Sequence, residues 1–310
     1  EFMCGIVGYI GSRQSTDVLL DGLSKLEYRG YDSAGVALCV NDEIRVVKAQ
    51  GRLAVLAEKL NGMPPMASHC GIGHTRWATH GAPSDVNSHP HCAARVSLVH
   101  NGIIENYAQL KEHLMKRGYE FCSETDTEVL VKLLDHNYHG EPLDAILRTL
   151  EQVRGSYGLA ILFKDFPGQI FSVRKESPLI VGYGAGENFL ASDIPALLRR
   201  LAGRRQKFIL FIDDLSFENA DVGYSVLKTV LEGSIEKRPA NVVIYATSNR
   251  RHLMRETFSE RGDDEVNIRE SIEERTALSE RFGIRVLFRG LNKDQYLEMV
   301  RLLAKQAGLD

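Results

Sequence analysis

The sequence lacks the features of a membrane-spanning, exported or nucleic-acid-binding protein. No apolar run approaches the roughly 20 residues of a transmembrane helix, and the N-terminus has no basic stretch followed by an apolar segment, as an export signal would. With 38 basic and 41 acidic residues the formal net charge is -3, which gives no excess of positive charge for nucleic acid or an anionic membrane surface. We therefore predict a cytoplasmic protein with no nucleic-acid or membrane partner.

Cysteines and histidines are not spaced as a disulfide framework or a metal site. The cysteines, an odd number, are Cys4, Cys39, Cys70, Cys92 and Cys122, and such an irregular set is not a disulfide framework. Six of the ten histidines lie between His69 and His100. However, no two of them have i, i+4 spacing with a glutamate between, and no Cys-x-x-Cys pair occurs. We predict neither a metal ion nor a cofactor.

The 310 residues, 44% of them apolar, provide material for two domains. The first part alternates helices with short strands: a strand at 4–11, a helix at 15–26, a hairpin at 36–49 and a helix at 53–60. Parallel crossovers are too few for a doubly wound sheet. The pattern therefore favours an α+β fold with antiparallel strands.

Cys4 lies almost at the amino terminus and precedes a short apolar run. Once the residues before it are removed, its own α-amine has a pKa of roughly 7.7–8.0 against about 8.5 for the thiol, so the amine can accept the thiol proton. The alternative is a small apolar side chain that opens a buried strand. Glu1-Phe2 ahead of Met3 is typical of a cloning remnant.

Two later segments offer polar groups for catalysis or binding. A predicted strand at 97–99 runs through His100 into Asn101 and Gly102, and an amide donor beside a glycine N–H can form an oxyanion hole. Residues 123–128 form the predicted cap of a helix over 129–136 and place Asp126 at the helix entrance. The alternative for Asp126 is a capping carboxylate worth roughly 1 kcal/mol.

Together these segments resemble the glutaminase domain of the glucosamine-6-phosphate synthase (glutamine–fructose-6-phosphate aminotransferase) family, whose members are class II, N-terminal-nucleophile amidotransferases. The resemblance covers residues 4 to about 198. The matching motifs, in order, are CGIVGYIG at 4–11, LEYRGYDSAG at 26–35, GIGHTRWATHG at 71–81, NSHPH at 87–91, HNGIIENY at 100–107 and SETDTEV at 123–129. The fold implied by the resemblance is an αββα sandwich of two antiparallel sheets.

The resemblance implies the catalytic residues. Cys4 is then the nucleophile that attacks the side-chain amide of glutamine, with its own α-amine as base. Asn101 and Gly102 form the oxyanion hole, and Arg29 helps to order the surroundings of the nucleophile.

The same resemblance implies the residues that bind glutamine. Arg76 would hold the α-carboxylate, since a guanidinium grips a carboxylate bidentately, and Asp126 would hold the α-ammonium. Thr79 and His80 would complete the pocket, and Trp77 would belong to a mobile loop that closes over it and gates ammonia.

Beyond Asp193 the family pattern stops, and the following residues resemble the latter part of an AAA-type ATPase. An apolar strand from residue 208 ends in Asp213 and Asp214, as a Walker B strand does, with Asn249 at the sensor position and Arg281 as a trans-acting arginine. A Walker B aspartate holds Mg²⁺ on a nucleotide whose phosphates lie in a Gly-x-x-x-x-Gly-Lys-Ser/Thr loop. The sequence contains no such loop.

We therefore predict a glutaminase domain at 3–198, truncated at its C-terminal end, and a partial AAA-type ATPase-like α/β segment at 199–310. The segment would pack beside the sandwich or across its open edge. The predicted reaction is hydrolysis of L-glutamine to glutamate and ammonia through a cysteinyl thioester, provided that Cys4 becomes the N-terminal residue. The isomerase domains, which in the family use the ammonia to make glucosamine 6-phosphate from fructose 6-phosphate, are absent. The alternative is a catalytically silent chimeric or AAA-type ATP-binding or assembly module.

Overall fold

The computed structural model describes residues 4–27, 32–77, 81–193, 198, 201, 207–212, 239–247, 284, 286, 298, 299 and 301. The chain divides into two compact units, Glu1–Arg251 and His252–Asp310, and the strands and helices given below belong to the first. No helix within these residues is both long enough and apolar enough to cross a membrane.

The described residues of the first unit form twelve strands and five helices. The strands are β1 (Gly5–Gly11), β2 (Ser33–Val40), β3 (Glu43–Gln50), β4 (Cys70–Arg76), β5 (His91–Cys92), β6 (Val96–Ile104), β7 (Gly155–Phe163), β8 (Phe171–Lys175), β9 (Ile180–Gly184), β10 (Glu187–Ala191), β11 (Phe208–Ile212) and β12 (Val242–Ala246). The helices are α1 (Ser15–Ser24), α2 (Leu53–Asn61), α3 (Tyr107–Met115), α4 (Asp126–Asn137) and α5 (Pro142–Gln152).

The strands form two sheets. The first has the order β12-β11-β9-β10-β1-β4-β2-β3, and the second has the order β5-β6-β7-β8. Every neighbouring pair is antiparallel except β11 and β12, which are parallel. Strand β1 thus lies inside the first sheet, between β10 and β4, and positions the residue that precedes it.

Alternation along the strands builds a four-layer sandwich. In β1, Ile6 points into the core between the two sheets, while Val7 points to the other face and meets Gly22 of α1. In β6, Val99 faces the first sheet, and its neighbour Leu98 packs in the core that the second sheet shares with α3, α4 and α5. The predicted αββα sandwich is confirmed.

The first sheet continues beyond the strands of the predicted glutaminase domain. Strand β11 pairs with β9, with Ile209 opposite Tyr183 and Leu210 opposite Gly182, and β12 then pairs with β11. Of the two placements predicted for the second segment, strands β11 and β12 adopt the one across the sheet edge. The proposed boundary at 198/199 remains a prediction, and strands on both sides of it share one sheet.

Burial of Phe208 holds the added strand in place. Its side chain is 1% exposed and its ring packs edge-on against Phe189, with 6.2 Å between ring centroids. The ring also covers Gly184, where an added Cβ would lie 2.4 Å from it, so the close approach of β11 to β9 requires a glycine there. The next residue, Ile209, points to the opposite face and is 44% exposed.

Replacing Phe208 with alanine should therefore destabilise the first unit by about 3–5 kcal/mol, the usual effect of removing a buried phenylalanine side chain. The matched control, Ile209→Ala, should cost about 1 kcal/mol or less because that side chain is half-exposed. Trp77, the only tryptophan, belongs to this unit, so its fluorescence in a urea titration reports on it. Equal effects of the two substitutions would contradict the described packing.

Candidate active site

Cys4 lies directly before β1 and beside the end of β4, because Gly5 pairs with Thr75. Its sulfur is held by the backbone of Trp77, the residue that follows β4. The Trp77 N–H donates to Cys4 Sγ at 3.3 Å, and the thiol lies 3.5 Å from the Trp77 carbonyl oxygen, to which it can donate. The N–H is already aimed at the sulfur and would stabilise a thiolate.

The surroundings oppose ionisation of this thiol. Burial raises the pKa of Cys4 above its usual value, and the negative charge of Asp32 raises it further. The Trp77 hydrogen bond and the positive charge of Arg76 lower the pKa but do not outweigh the burial. At neutral pH the sulfur is therefore a thiol, and its use as a nucleophile requires a base.

Asn101 and Gly102 lie within β6 rather than after it, which corrects the sequence prediction of a strand at 97–99. The strand continues to Ile104 because β7 pairs with it throughout, with Asn101 opposite Gly158 and Gly102 opposite Tyr157. Gly102 has φ +128°, and a Cβ there would lie 2.1 Å from the Ser156 carbonyl oxygen. Only glycine fits this position.

The side chain of Asn101 connects the second sheet to the first. Its Nδ2 donates to the carbonyl oxygen of Cys4 at 3.0 Å, and its Oδ1 lies 3.0 Å from Nε2 of His74 in β4. The predicted nucleophile and the predicted oxyanion donor are thus brought into direct contact.

Asp126 is the first residue of α4, which begins three residues earlier than predicted. The capping alternative for this carboxylate is wrong, because the N-cap is Thr125, whose side chain accepts a hydrogen bond from the Glu128 N–H at 3.2 Å. Asp126 is buried, and its Oδ2 accepts from the backbone N–H of Ile104 at 2.8 Å. Its carboxylate is thereby attached to the end of β6, the strand that carries Asn101.

Arg76 ends β4 and is buried, and its Nη2 donates to the Gly81 carbonyl oxygen at 3.0 Å. A buried guanidinium held this way presents a fixed positive charge close to Cys4. The other predicted site residues, Arg29, Thr79, His80, Asp213, Asp214, Asn249 and Arg281, lie outside the described residues.

Four histidines in the described part of the chain, His74, His89, His91 and His100, are buried, and of these His74 hydrogen-bonds to Asn101. The rings of His74 and His89 stack with 4.2 Å between centroids. Burial lowers the pKa of His74 and His91 to about 3 and that of His89 well below its usual value, so these three rings are neutral at physiological pH. No group of His, Cys, Asp and Glu side chains suited to a metal ion occurs in the described part of the chain.

His74 is a residue that the sequence reasoning missed. A signal for it was present, because strand residues two apart share a face, and His74 lies two residues before Arg76 in β4. Its partner Asn101 is 27 residues away in the other sheet, and nothing local in the sequence indicates that pairing.

Comparison with known proteins divides the chain into two parts. Residues 74–199 match the family described as "Glutamine amidotransferase domain". Residues 188–310 match the family described as "Protein of unknown function (DUF815)". The two matches overlap at 188–199, which includes most of β10.

Curated relatives and solved structures match the first part. The glutamine–fructose-6-phosphate aminotransferase (isomerizing) of Caldanaerobacter subterraneus is 54% identical over 214 residues, which are 68% of this chain and 34% of the relative. That of Pyrococcus horikoshii is 46% identical over 240 residues, 76% of this chain and 39% of the relative. The chain thus spans about a third of the length of these relatives.

Among solved structures, the glutamine phosphoribosylpyrophosphate amidotransferase from B. subtilis has 27% identity and a TM-score of 0.55, covering 63% of this chain and 43% of that one. A second structure, described as the allosteric regulatory enzyme of purine biosynthesis, has 26% identity and a TM-score of 0.56 over the same shares. The residues up to about 199 therefore form a glutamine amidotransferase domain, homologous to the glutaminase domain of the glutamine–fructose-6-phosphate aminotransferases.

Proposed function

We propose that this chain hydrolyses L-glutamine to glutamate and ammonia, the glutaminase half-reaction of a glutamine–fructose-6-phosphate aminotransferase. The observation that carries the proposal is the 3.0 Å hydrogen bond between Asn101 Nδ2 and the Cys4 carbonyl oxygen. It brings a thiol near the amino terminus and an amide donor together in a domain of the glutamine amidotransferase type.

In the proposed reaction the Cys4 thiolate attacks the carbonyl carbon of the glutamine side-chain amide. Asn101 Nδ2 and the Gly102 N–H stabilise the negative charge on the resulting tetrahedral oxygen. The carbon–nitrogen bond then breaks, the α-ammonium of Cys4 returns its proton to the departing nitrogen, and ammonia leaves. Water hydrolyses the remaining thioester to glutamate and the free thiol.

The proposed base is the α-amine of Cys4. Because burial raises the thiol pKa, the proton must go to a group with a pKa near neutrality, and a free α-amine, at roughly 7.7–8.0, is one. A peptide nitrogen cannot serve, since its lone pair is delocalised into the carbonyl.

Recognition of glutamine is proposed for charged groups that lie near Cys4 and Asn101. The buried guanidinium of Arg76 suits the α-carboxylate, and the buried carboxylate of Asp126 suits the α-ammonium. We keep Trp77, Thr79 and His80 as the remaining pocket residues and Arg29 as an ordering residue.

The proposal is limited to this half-reaction. The relatives' names include fructose 6-phosphate and isomerisation, and the chain covers about a third of their length. We keep 3–198 and 199–310 as the proposed domains and the cytoplasm as the proposed location.

A version of the chain that begins at Cys4 should release glutamate at least about a hundredfold faster than the 310-residue form that carries Glu1-Phe2-Met3. General-base assistance is typically worth about 100- to 10,000-fold, and only in the first version does Cys4 itself carry a free α-amine. Glutamate release is measured for both, with each N-terminus confirmed by intact mass.

Two outcomes would count against parts of the proposal. Equal activity of the two forms would mean that another group takes the thiol proton. The control is Cys4→Ala in the shortened chain, which should melt like the parent but release no glutamate; retained activity in that variant would exclude Cys4 as the nucleophile.

Asp126→Asn should raise KM for glutamine roughly 10- to 100-fold with a smaller change in kcat, because a hydrogen bond to a charged group is worth about 1.5–3 kcal/mol. Asparagine keeps an oxygen that can accept from the Ile104 N–H, so the substitution isolates the charge. Asp144→Asn, an exposed carboxylate in the first turn of α5, is the control. An unchanged KM in the Asp126 variant would exclude Asp126 from glutamine binding.

A further inference from the structure

We propose that His74 is a positioning residue, whose Nε2–H holds the side-chain amide of Asn101 with its NH₂ group facing Cys4. The inference rests on the proposed function, because it explains how the oxyanion donor is kept in the productive orientation. His74 lies inside the GIGHTRWATHG motif, but the family resemblance assigned no role to it.

The orientation of the Asn101 amide follows from its two partners. At one end lies the carbonyl oxygen of Cys4, 3.0 Å away, which can only accept, so the amide NH₂ must be at that end. The other end is then Oδ1, also an acceptor, and the atom 3.0 Å from it, His74 Nε2, must carry the hydrogen. A flipped amide would place its oxygen against the carbonyl oxygen of Cys4, and the hydrogen bond from His74 prevents that flip.

The surroundings of His74 support this tautomer. Among the described residues its Nδ1 is buried and has no partner within hydrogen-bonding geometry, and the His100 backbone makes only a weak polar contribution to the ring. A hydrogen on Nδ1 would be a buried, unsatisfied donor, which costs more than an unused lone pair. Burial also lowers the pKa of His74 to about 3, with the positive charge of Arg76 adding to the effect, so the ring stays neutral. Stacking on His89 at 4.2 Å holds the plane of the ring.

This arrangement leaves one hydrogen of the Asn101 amide available to the substrate. An amide NH₂ has two donors. One of them bonds to the Cys4 carbonyl oxygen, and the second is then available to the oxyanion that forms on the substrate at Cys4. Because Oδ1 is engaged by His74, the amide does not have to reorient during the reaction, as electrostatic preorganisation requires.

The test compares His74→Phe, which keeps a stacking ring but removes the donor, with His74→Gln, which keeps an N–H at the end of the side chain. In the chain that begins at Cys4, His74→Phe should lower kcat and leave KM nearly unchanged. The loss in kcat should not exceed the roughly 100- to 1000-fold loss expected for Asn101→Ala. His74→Gln should recover most of that loss.

A double variant distinguishes positioning from a general effect on packing. If His74 acts only through Asn101, then His74→Phe/Asn101→Ala should be no slower than Asn101→Ala alone, whereas independent effects would multiply. The pH dependence of kcat/KM should keep its shape in His74→Phe, since His74 does not exchange a proton with the substrate. His91→Gln, a change at a buried histidine that contacts Thr125 instead, should leave kcat unchanged.

A second measurement needs neither activity nor a folded His74 variant. Nitrogen NMR of the full chain carrying Cys4→Ala and ¹⁵N-labelled histidine should show His74 neutral and protonated at Nε2 from pH 5 to pH 8. A proton on Nδ1, a titration near pH 6.5, wild-type activity in His74→Phe or multiplicative losses in the double variant would each overturn the inference. Absence of glutamate release from the unsubstituted chain that begins at Cys4 would instead refute the proposed function, and the NMR result would still decide the state of His74.

Discussion

The hydrogen bond between Asn101 and the Cys4 carbonyl joins the two sheets at the point where the candidate chemistry takes place. Cys4 precedes β1, which is flanked by β10 and β4, and Asn101 lies in β6, which is flanked by β5 and β7. Neither residue can shift far without moving its sheet. The apolar layer between the sheets, including Ile6, Ile72 and Val99, thus sets the relation between the two side chains, because close-packed interiors resist small displacements.

The burial that fixes these positions also decides their chemistry. It makes the Cys4 thiol a weaker acid, which leaves the sulfur dependent on a neighbouring base. It also keeps His74, His89 and His91 neutral, so these rings act as hydrogen-bonding and stacking groups rather than as charges. The fixed positive charge described close to the sulfur is then that of Arg76, and its effect is strengthened by the low polarity around it.

Local patterns in the sequence predicted most of the elements. The hairpin of β2 and β3 turns at Asn41 and Asp42, which have φ of 49° and 61°, as these residue types tolerate. Motif order also indicated that Cys4 and Asn101 belong to one site, although their contact depends on packing of the two sheets. The errors are at Asn101-Gly102, where a partner strand extends β6 past its apolar run, and at the start of α4, which begins at Asp126 rather than at residue 129.

What the sequence alone did not decide depends on contacts between distant residues. Pairing of β11 with β9 brings together residues about 25 positions apart, such as Ile209 and Tyr183. The sequence of an apolar strand does not indicate which sheet edge the strand will join. The same holds for His74, whose significance lies in its partner. Residue type and spacing predict which groups are present, while register and packing decide which of them meet.

The overlap of the two family matches at 188–199 begins in β10, which lies between β1 and β9 in the interior of the first sheet. The boundary between the two family matches therefore does not coincide with the end of the first sheet, which continues through β11 and β12. A chain truncated at residue 199, where the amidotransferase match ends, would lack β11 and β12. The backbone N–H and C=O groups along one side of β9 would then be unpaired, and an unpaired strand edge can pair with strands of other molecules. Strands β11 and β12 thus move the edge of the amidotransferase sheet from β9 to β12.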